Sequence, residues 1–180
     1  MSEVIKYSLI RDKNFFSFLF DNQSKIKSLD FNVIGEMIYN SVKNKAEIVS
    51  RDETEKSIRA ILNFGHTFGH SIEKTWNYKT YSHGEAVAIG MSLACEYSNR
   101  IGILKQTDLI RIKELFKIFN LKTQIKTKKF TFIFKNLFFD KKVTDKKLVF
   151  ILIEGIGKAI LSKEIDEQDL KSFLKQSFTK

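Results

Sequence analysis

Apolar residues recur every three to four positions along most of this chain, which is the spacing that places them on one face of an α-helix. The pattern covers residues 2–12, 14–28 and about 31–50, and it returns after residue 57. Short apolar runs, residues 148–153 and 159–161, flank the turn at residues 154–157 and favour a β-hairpin there. The sequence therefore predicts a mainly α, helical bundle-like domain with one small β-hairpin.

Several predicted helices have recognisable ends. Asp30 can cap the long helix. Ser82-His83-Gly84-Glu85 has the form of a capping box, and the helix that it opens is expected to stop near Gly102. Residues 77–82 lack apolar periodicity and are predicted to form a loop. The other predicted helices cover residues 57–75, 107–119 and 130–139 and the C-terminal segment from Asp166.

The composition excludes several classes of protein. A chain of 180 residues with 43% hydrophobic residues fits one folded domain and is too apolar for disorder. No apolar stretch approaches the roughly 20 residues of a membrane span, and charged residues throughout positions 2–30 argue against a secretory signal. The single cysteine, Cys95, excludes a disulfide framework and a thiolate zinc cluster. We therefore predict a cytoplasmic protein in which Cys95 fills the core.

The chain is basic, with 31 Lys and Arg against 21 Asp and Glu, and a formal net charge of +10. The densest basic stretch is residues 121–149, where all the cations are lysines. Zinc-finger and aromatic RNA-binding signatures do not occur. A solvated lysine surface is the interpretation that we favour, with an anion-binding site inside it as the alternative. A basic nucleic-acid-binding protein is a weaker hypothesis, so we predict no nucleic-acid partner.

Four polar residues are spaced so that one continuous helix would place them within an arc of roughly 60°. If this helix is buried, such a stripe needs partners. Gly65 and Gly69 lie on another face of the same predicted helix and lower its intrinsic stability by about 1 kcal/mol each. They predict the close approach of another backbone. The polar residues of the arc are Arg59, Asn63, His66 and His70.

All three histidines of the chain lie within 18 residues, at positions 66, 70 and 83. Such a cluster across helix, loop and helix is a candidate metal or catalytic site. The spacing alone pairs His66 with His70, since the two are four residues apart. Thr67 follows His66 where the zinc-protease motif requires Glu, so that class is excluded.

Two lysines occupy unexpected positions. Lys45 lies in the apolar stripe that Ile38 and Val42 define on the long helix. Lys6 shares a helix face with Glu3 in a segment that is otherwise apolar. Snorkelling to the surface would explain each lysine. Pairing with an anionic ligand beside a metal site is the alternative.

Four segments are distinctive when taken together: SEVIKY at 2–7, KAEIV at 45–49, LNFGHTFGH at 62–70 and HGEAVAIGM at 83–91. The sequence DKK at 140–142, followed by the predicted hairpin, fits the same order. In this order and at this spacing they resemble the 3-dehydroquinate synthase family of the sugar-phosphate cyclases. The resemblance covers only the C-terminal, mainly helical domain of that family.

The resemblance implies a site for one divalent metal, Zn²⁺ or Co²⁺, held by Glu3, His66 and His83. Three protein ligands with open coordination positions suit a catalytic metal. The family places the residue equivalent to His70 beside the substrate, where it supports proton transfer.

The resemblance also implies an anionic sugar-phosphate substrate. Its phosphate would be reached by one or both of Lys141 and Lys142. Its carboxylate and hydroxyls would be contacted by a set of polar residues, which are Lys6, Lys45, Arg59 and Asn63.

The implied reaction converts 3-deoxy-arabino-heptulosonate 7-phosphate to 3-dehydroquinate and phosphate, in the shikimate pathway to chorismate and the aromatic amino acids. With NAD bound, the C5 hydroxyl is transiently oxidised, which acidifies the C6 proton. Phosphate then leaves, the ketone is reduced, and the ring opens and closes again. The full enzyme is expected to be a homodimer.

The sequence departs from the family in one respect. None of its eight glycines stands in a dinucleotide-binding pattern. We therefore expect residues 1–180 to form one metal- and substrate-binding domain, the N-terminal NAD-binding domain to be absent, and activity to require a separate NAD-binding half. The surface which that half would cover is expected to be an exposed apolar patch. Another sugar-phosphate cyclase and a non-catalytic remnant remain alternatives.

Overall fold

The structure, a computed structural model, describes residues 1–52, 58–142 and 149–179, with side chains in the middle range described up to Phe138. Within these ranges the chain forms nine α-helices, one 3₁₀ segment and one antiparallel hairpin. The mainly α fold with a single small hairpin is confirmed. The elements are α1 (Ser2–Ile10), α2 (Lys13–Asp21), α3 (Gln23–Lys27), α4 (Phe31–Arg51), the 3₁₀ segment (Ile58–Asn63), α5 (His66–Thr75), α6 (His83–Arg100), α7 (Gln106–Ile118), α8 (Phe130–Lys142), β1 (Phe150–Gly155), β2 (Lys158–Ser162) and α9 (Glu167–Thr179).

Helix α6 lies in the middle of the domain and is buried on almost all sides. The hydroxyl of Ser98 on α6 accepts a hydrogen bond from the Ile153 backbone N–H on β1, at 3.2 Å. The ring of Tyr97 lies 5.2 Å from that of Phe173 on α9. Cys95 is fully buried, as predicted, and burial raises the pKa of its thiol. This helix is the scaffold on which the other elements pack.

Helices α5 and α6 pack with their backbones in contact. A Cβ atom on Gly90 of α6 would overlap the Gly65 carbonyl oxygen and lie 2.9 Å from the Gly69 nitrogen. A Cβ on Gly65 would lie 2.8 Å from the Met91 nitrogen. Both distances are shorter than a carbon atom allows, so only glycine fits. The close backbone approach predicted at Gly65 and Gly69 is confirmed, and Gly90 is its counterpart on α6.

Two predicted helices are each divided in the structure. The predicted helix over 14–28 ends and restarts at Asn22, between α2 and α3. The predicted helix over 57–75 was wrong as one element, because Gly65 adopts φ +80° and the chain turns there. The polar arc is therefore divided, with Arg59 and Asn63 on the 3₁₀ segment and His66 and His70 on α5.

The buried face of α4 differs from the predicted one. The side chains of Ile38 and Val42 are 54% and 62% exposed, and Lys45 on the same face is exposed too. The prediction that this stripe faces the core was wrong. The face that packs against the domain is rotated by one residue and consists of Val33, Met37, Asn44 and Ile48.

The predicted caps and the hairpin are present. The Asp30 carboxylate accepts hydrogen bonds from the Asn32 and Val33 backbone N–H groups at the start of α4. Ser82 and Glu85 form the reciprocal capping box of α6. The hairpin is described from residue 149 onward, so residue 148 of the prediction lies outside the described residues. Among the described helices, none combines the length and the apolar composition that crossing a membrane would require.

Candidate metal and substrate site

Helix α1 places Glu3 and Lys6 one turn apart at the edge of the site. Lys6 is only 3% exposed, and its Nζ lies 2.6 Å from Glu3 Oε2. Burial lowers the pKa of the Lys6 ammonium, the Glu3 carboxylate counteracts this, and the charge of Lys45 lowers the pKa further. Lys6 is therefore a buried cation rather than a snorkelling one. Lys45 acts on Lys6 electrostatically although it projects from the exposed face of α4.

The left-handed turn at Gly65 sets the position of His66, the first residue of α5. The Nδ1 atom of His66 lies 3.2 Å from the Phe64 carbonyl oxygen. Because a carbonyl only accepts, Nδ1 carries the proton and Nε2 keeps its lone pair. This Nε2 lies 3.8 Å from Glu3 Oε1. Burial, followed by the charge of Lys6, lowers the pKa of His66, which favours the neutral form that a metal requires.

His83 is the first residue of α6, directly after the N-cap Ser82. Its Nδ1 lies 3.0 Å from Oε1 of Glu73, a buried carboxylate on α5. The Glu73 carboxylate thus holds one edge of the His83 ring. Because a carboxylate only accepts, the other nitrogen, Nε2, is left with its lone pair.

The structure brings the three histidines together. The ring centroids of His66 and His83 are 5.3 Å apart, those of His66 and His70 are 5.5 Å apart, and those of His70 and His83 are 6.1 Å apart. The sequence cluster is therefore also a spatial cluster, built from the backbone contact between α5 and α6.

Two ligand sets are compatible with this cluster. In one, His70, Glu73 and His83 each offer a ligand atom, and all three atoms lie within 4.8 Å of one another. In the other, which the resemblance implied, Glu3 and His66 join His83. Each set contains one carboxylate and two imidazoles, a donor set that suits Zn²⁺ or Co²⁺. The residues present therefore fit such a metal.

A cleft of about 290 Å³ opens beside the histidines. Asn63 lies in its wall, and His70 is exposed at the same place. Arg59 lies on the 3₁₀ segment four residues before Asn63, and its backbone N–H donates to the Asp52 carboxylate at 3.0 Å. The residues that line the cleft are Ala60, Asn63, His66, Thr67, His70, Val149 and Ile151.

Two predicted site residues cannot be placed. Lys141 and Lys142 are the last residues of α8, and their side chains lie outside the described part of the chain. Their contact with a substrate phosphate therefore stays a prediction.

Glu73 was not predicted from the sequence. It lies seven residues after His66, a spacing that returns to the same face of a helix. A glutamate on the histidine face of a helix expected to be buried is the signal that could have identified it, because a buried carboxylate needs a partner.

Comparison with known proteins is consistent with this arrangement. A family model described as 3-dehydroquinate synthase C-terminal matches residues 1–143. The curated 3-dehydroquinate synthase of Shewanella piezotolerans is 43% identical over 170 residues, which are 93% of this chain and 47% of that protein. The enzyme of the same name from Thermodesulfovibrio yellowstonii is 38% identical over 177 residues, 98% of this chain and 49% of that protein. The chain thus spans about half the length of these relatives.

Two solved structures share the fold. A 2-epi-5-epi-valiolone synthase from Streptomyces hygroscopicus with NAD⁺ and Zn²⁺ bound superposes with a TM-score of 0.85 at 22% identity, covering 97% of this chain and 49% of that one. A 2-deoxy-scyllo-inosose synthase complexed with carbaglucose-6-phosphate, NAD⁺ and Co²⁺ superposes with a TM-score of 0.82 at 25% identity, covering 98% and 51%.

Proposed function

The chain belongs to the 3-dehydroquinate synthase C-terminal family, and on this premise we propose that it is the metal- and substrate-binding half of a 3-dehydroquinate synthase. The reaction would be the conversion of 3-deoxy-arabino-heptulosonate 7-phosphate to 3-dehydroquinate and phosphate. We assign NAD to a nucleotide-binding half outside these 180 residues, because no dinucleotide-binding pattern occurs among the glycines of this sequence. The assembled enzyme would be a homodimer.

The observation that carries the proposal is the meeting of Glu3, His66 and His83, which come from the start of three different helices. Glu3 Oε1 lies 3.8 Å from His66 Nε2, and the rings of His66 and His83 are 5.3 Å apart. We propose these three residues as the metal ligands. Bound there, Zn²⁺ or Co²⁺ would act as a Lewis acid on a substrate hydroxyl.

Glu3 can serve the metal site and Lys6 together. Its Oε2 atom accepts from the Lys6 ammonium at 2.6 Å, while Oε1 is the oxygen near His66. Lys6 would therefore fix the direction of Glu3 and leave one oxygen for the metal. The same buried ammonium would attract a substrate carboxylate, since burial without an anion is unfavourable for it.

The remaining proposed contacts follow the cleft. Asn63 in its wall would hydrogen-bond a substrate hydroxyl, and Arg59 on the same segment would add a cationic donor. His70, exposed beside the cleft, would move a proton to or from the substrate. Lys45 would approach the carboxylate from α4, and Lys141 and Lys142 at the end of α8 would bind the phosphate.

Metal analysis tests this proposal. The purified chain, loaded with Zn²⁺ or Co²⁺ and freed of excess, is expected to retain one equivalent. His66→Ala and His83→Ala should each lose it, whereas His70→Ala should retain it as the matched control within the same cluster. Equal metal content in the wild type, His66→Ala and His83→Ala would contradict the proposed site.

A second candidate is another sugar-phosphate cyclase, which the shared fold with valiolone and deoxy-inosose synthases supports. The chain would be combined with the nucleotide-binding half of a curated relative and supplied with NAD. Phosphate release from 3-deoxy-arabino-heptulosonate 7-phosphate, but not from glucose 6-phosphate or sedoheptulose 7-phosphate, is expected. Preference for either of the other two sugar phosphates would replace the proposed substrate.

A further inference from the structure

We propose that Glu73 is a positioning residue that holds the His83 imidazole so that its Nε2 atom faces the metal. The inference rests on the proposed metal site, which it extends from three ligands to the group behind one of them. Glu73 does not coordinate the metal in this proposal; it acts through His83.

The contrast in burial between the two side chains supports this role. The Glu73 side chain is 7% exposed, whereas that of His83 is 55% exposed. An exposed imidazole on the first residue of a helix has several accessible rotamers. The contact of 3.0 Å between His83 Nδ1 and the fixed Oε1 of Glu73 selects one of them.

The contact also selects a tautomer. Because the carboxylate accepts, the His83 proton lies on Nδ1 and the lone pair lies on Nε2. His66 is held in the same way, by the Phe64 carbonyl oxygen at 3.2 Å from its Nδ1. Two imidazoles with acceptors behind their Nδ1 atoms present Nε2 at their other edge, the arrangement in which a second acceptor orients a metal-binding histidine.

The competing assignment makes Glu73 a ligand together with His70 and His83. The two assignments differ in what each side chain contributes. If Glu73 is a ligand, its loss removes a donor from the metal, and loss of His70 is equally damaging. If Glu73 positions His83, its loss weakens binding but leaves the ligands of the bound metal unchanged, and His70 is dispensable.

The test uses Co²⁺, whose visible absorption reports its ligands, and the variants Glu73→Gln and Glu73→Ala. Affinity is measured by competition with a chelator. We expect a loss of about 10- to 100-fold for Glu73→Ala, and a smaller loss for Glu73→Gln because its amide oxygen can still accept. At saturating Co²⁺ both variants should give the wild-type spectrum. Glu96→Gln is the matched control, since Glu96 lies on α6 and pairs with Lys113 at 2.6 Å away from the cluster.

Three results would overturn the inference: wild-type affinity in both Glu73 variants, a changed spectrum at saturation, or a loss of Co²⁺ in His70→Ala as large as in His83→Ala. If Glu73→Ala does not fold, the Glu73→Gln variant, checked by circular dichroism, decides the same question. The last two results would favour Glu73 or His70 as ligands.

A second measurement separates this inference from the proposed function. Nitrogen NMR of the metal-free chain at about pH 8.5, where an ordinary imidazole is neutral, reports which ring nitrogen carries the proton. The wild type is expected to hold His83 with the proton on Nδ1, and Glu73→Gln is expected to shift part of the population to Nε2. If the wild type binds no metal, the proposed function fails, and the tautomer still supports or contradicts the role of Glu73.

Discussion

The two longest helices of the described chain are packed in opposite ways. In α6, which has 18 residues, twelve are buried. In α4, which has 21 residues, only four are buried. Helix α6 carries His83 and contacts the backbone of α5, which carries His66 and His70. Helix α4 carries Lys45 on a face that the described residues leave exposed.

This difference separates the two parts of the proposed site. The histidines are fixed by contacts within the chain, so we expect metal binding to be a property of the chain alone. The apolar face of α4 contains Phe31, which is 89% exposed, together with Ile38 and Val42. An apolar stripe of this kind is typical of a surface that another unit covers. We therefore expect substrate binding near Lys45 to depend on the nucleotide-binding half.

The largest expected effect comes from adding one methyl group to each helix. Gly90→Ala should reduce the free energy of unfolding by at least about 3 kcal/mol, because its Cβ would overlap the Gly65 carbonyl oxygen. Gly35→Ala on α4 is the matched control, since no atom lies within 4 Å of its Cβ. It should raise stability by up to about 1 kcal/mol through helix propensity.

Urea unfolding followed by circular dichroism measures both changes, and the labelling rate of the buried Cys95 thiol gives an independent readout. Equal stability of the two variants would contradict the tight contact between α5 and α6.

The next effect concerns the metal. His66→Ala should lower Co²⁺ affinity by more than about 100-fold, or about 2.7 kcal/mol, because it removes a ligand. Lys45→Ala should change this affinity less than about twofold, because Lys45 acts on the site only through charge across a solvent-exposed face. Chelator competition on the chain alone measures both. A large loss of metal affinity in Lys45→Ala would show that α4 belongs to the metal site and would remove the distinction between the two helices.

The same contrast explains which parts of the fold were predictable. The capping box at Ser82 and the glycine pair at positions 65 and 69 have local physical causes, and both were identified correctly from the sequence. The turn at Gly65 was missed because helical spacing continues through it in the sequence. A single positive φ angle divides the element without altering the pattern of apolar residues.

The buried face of α4 was mistaken for a related reason. Two stripes, one residue apart, run along this helix, and the sequence favoured the more apolar one through Ile38 and Val42. Which stripe is buried depends on the neighbours in space, and these are not encoded within the helix. In the site, the clustering of histidines was visible in the sequence, whereas Glu73 was not, because most glutamates on helices face water.

A smaller effect is expected from the helix caps. Ser82→Ala and Asp30→Ala should each lower the free energy of unfolding by about 1 kcal/mol, because each side chain accepts from backbone N–H groups at a helix start. Only Ser82→Ala should also weaken Co²⁺ binding, by up to about fivefold, since the next residue is His83. Thermal unfolding and chelator competition on both variants test this, and an equal loss of metal affinity in Asp30→Ala would count against it.

The smallest effect on stability is expected on the exposed face of α4. Val42→Lys should change the free energy of unfolding by no more than about 0.5 kcal/mol, because the side chain is 62% exposed. The same substitution should reduce self-association of the isolated chain, because a charge interrupts the apolar stripe. Ile110→Lys on α7 is the matched control, with 56% exposure and the same change in charge outside the stripe. Light scattering over a range of concentrations distinguishes them. If Val42→Lys destabilises the chain by more than about 1 kcal/mol, or if both variants associate equally, the face of α4 is not an uncovered apolar surface, and the dependence of the Lys45 region on a second half loses its physical basis.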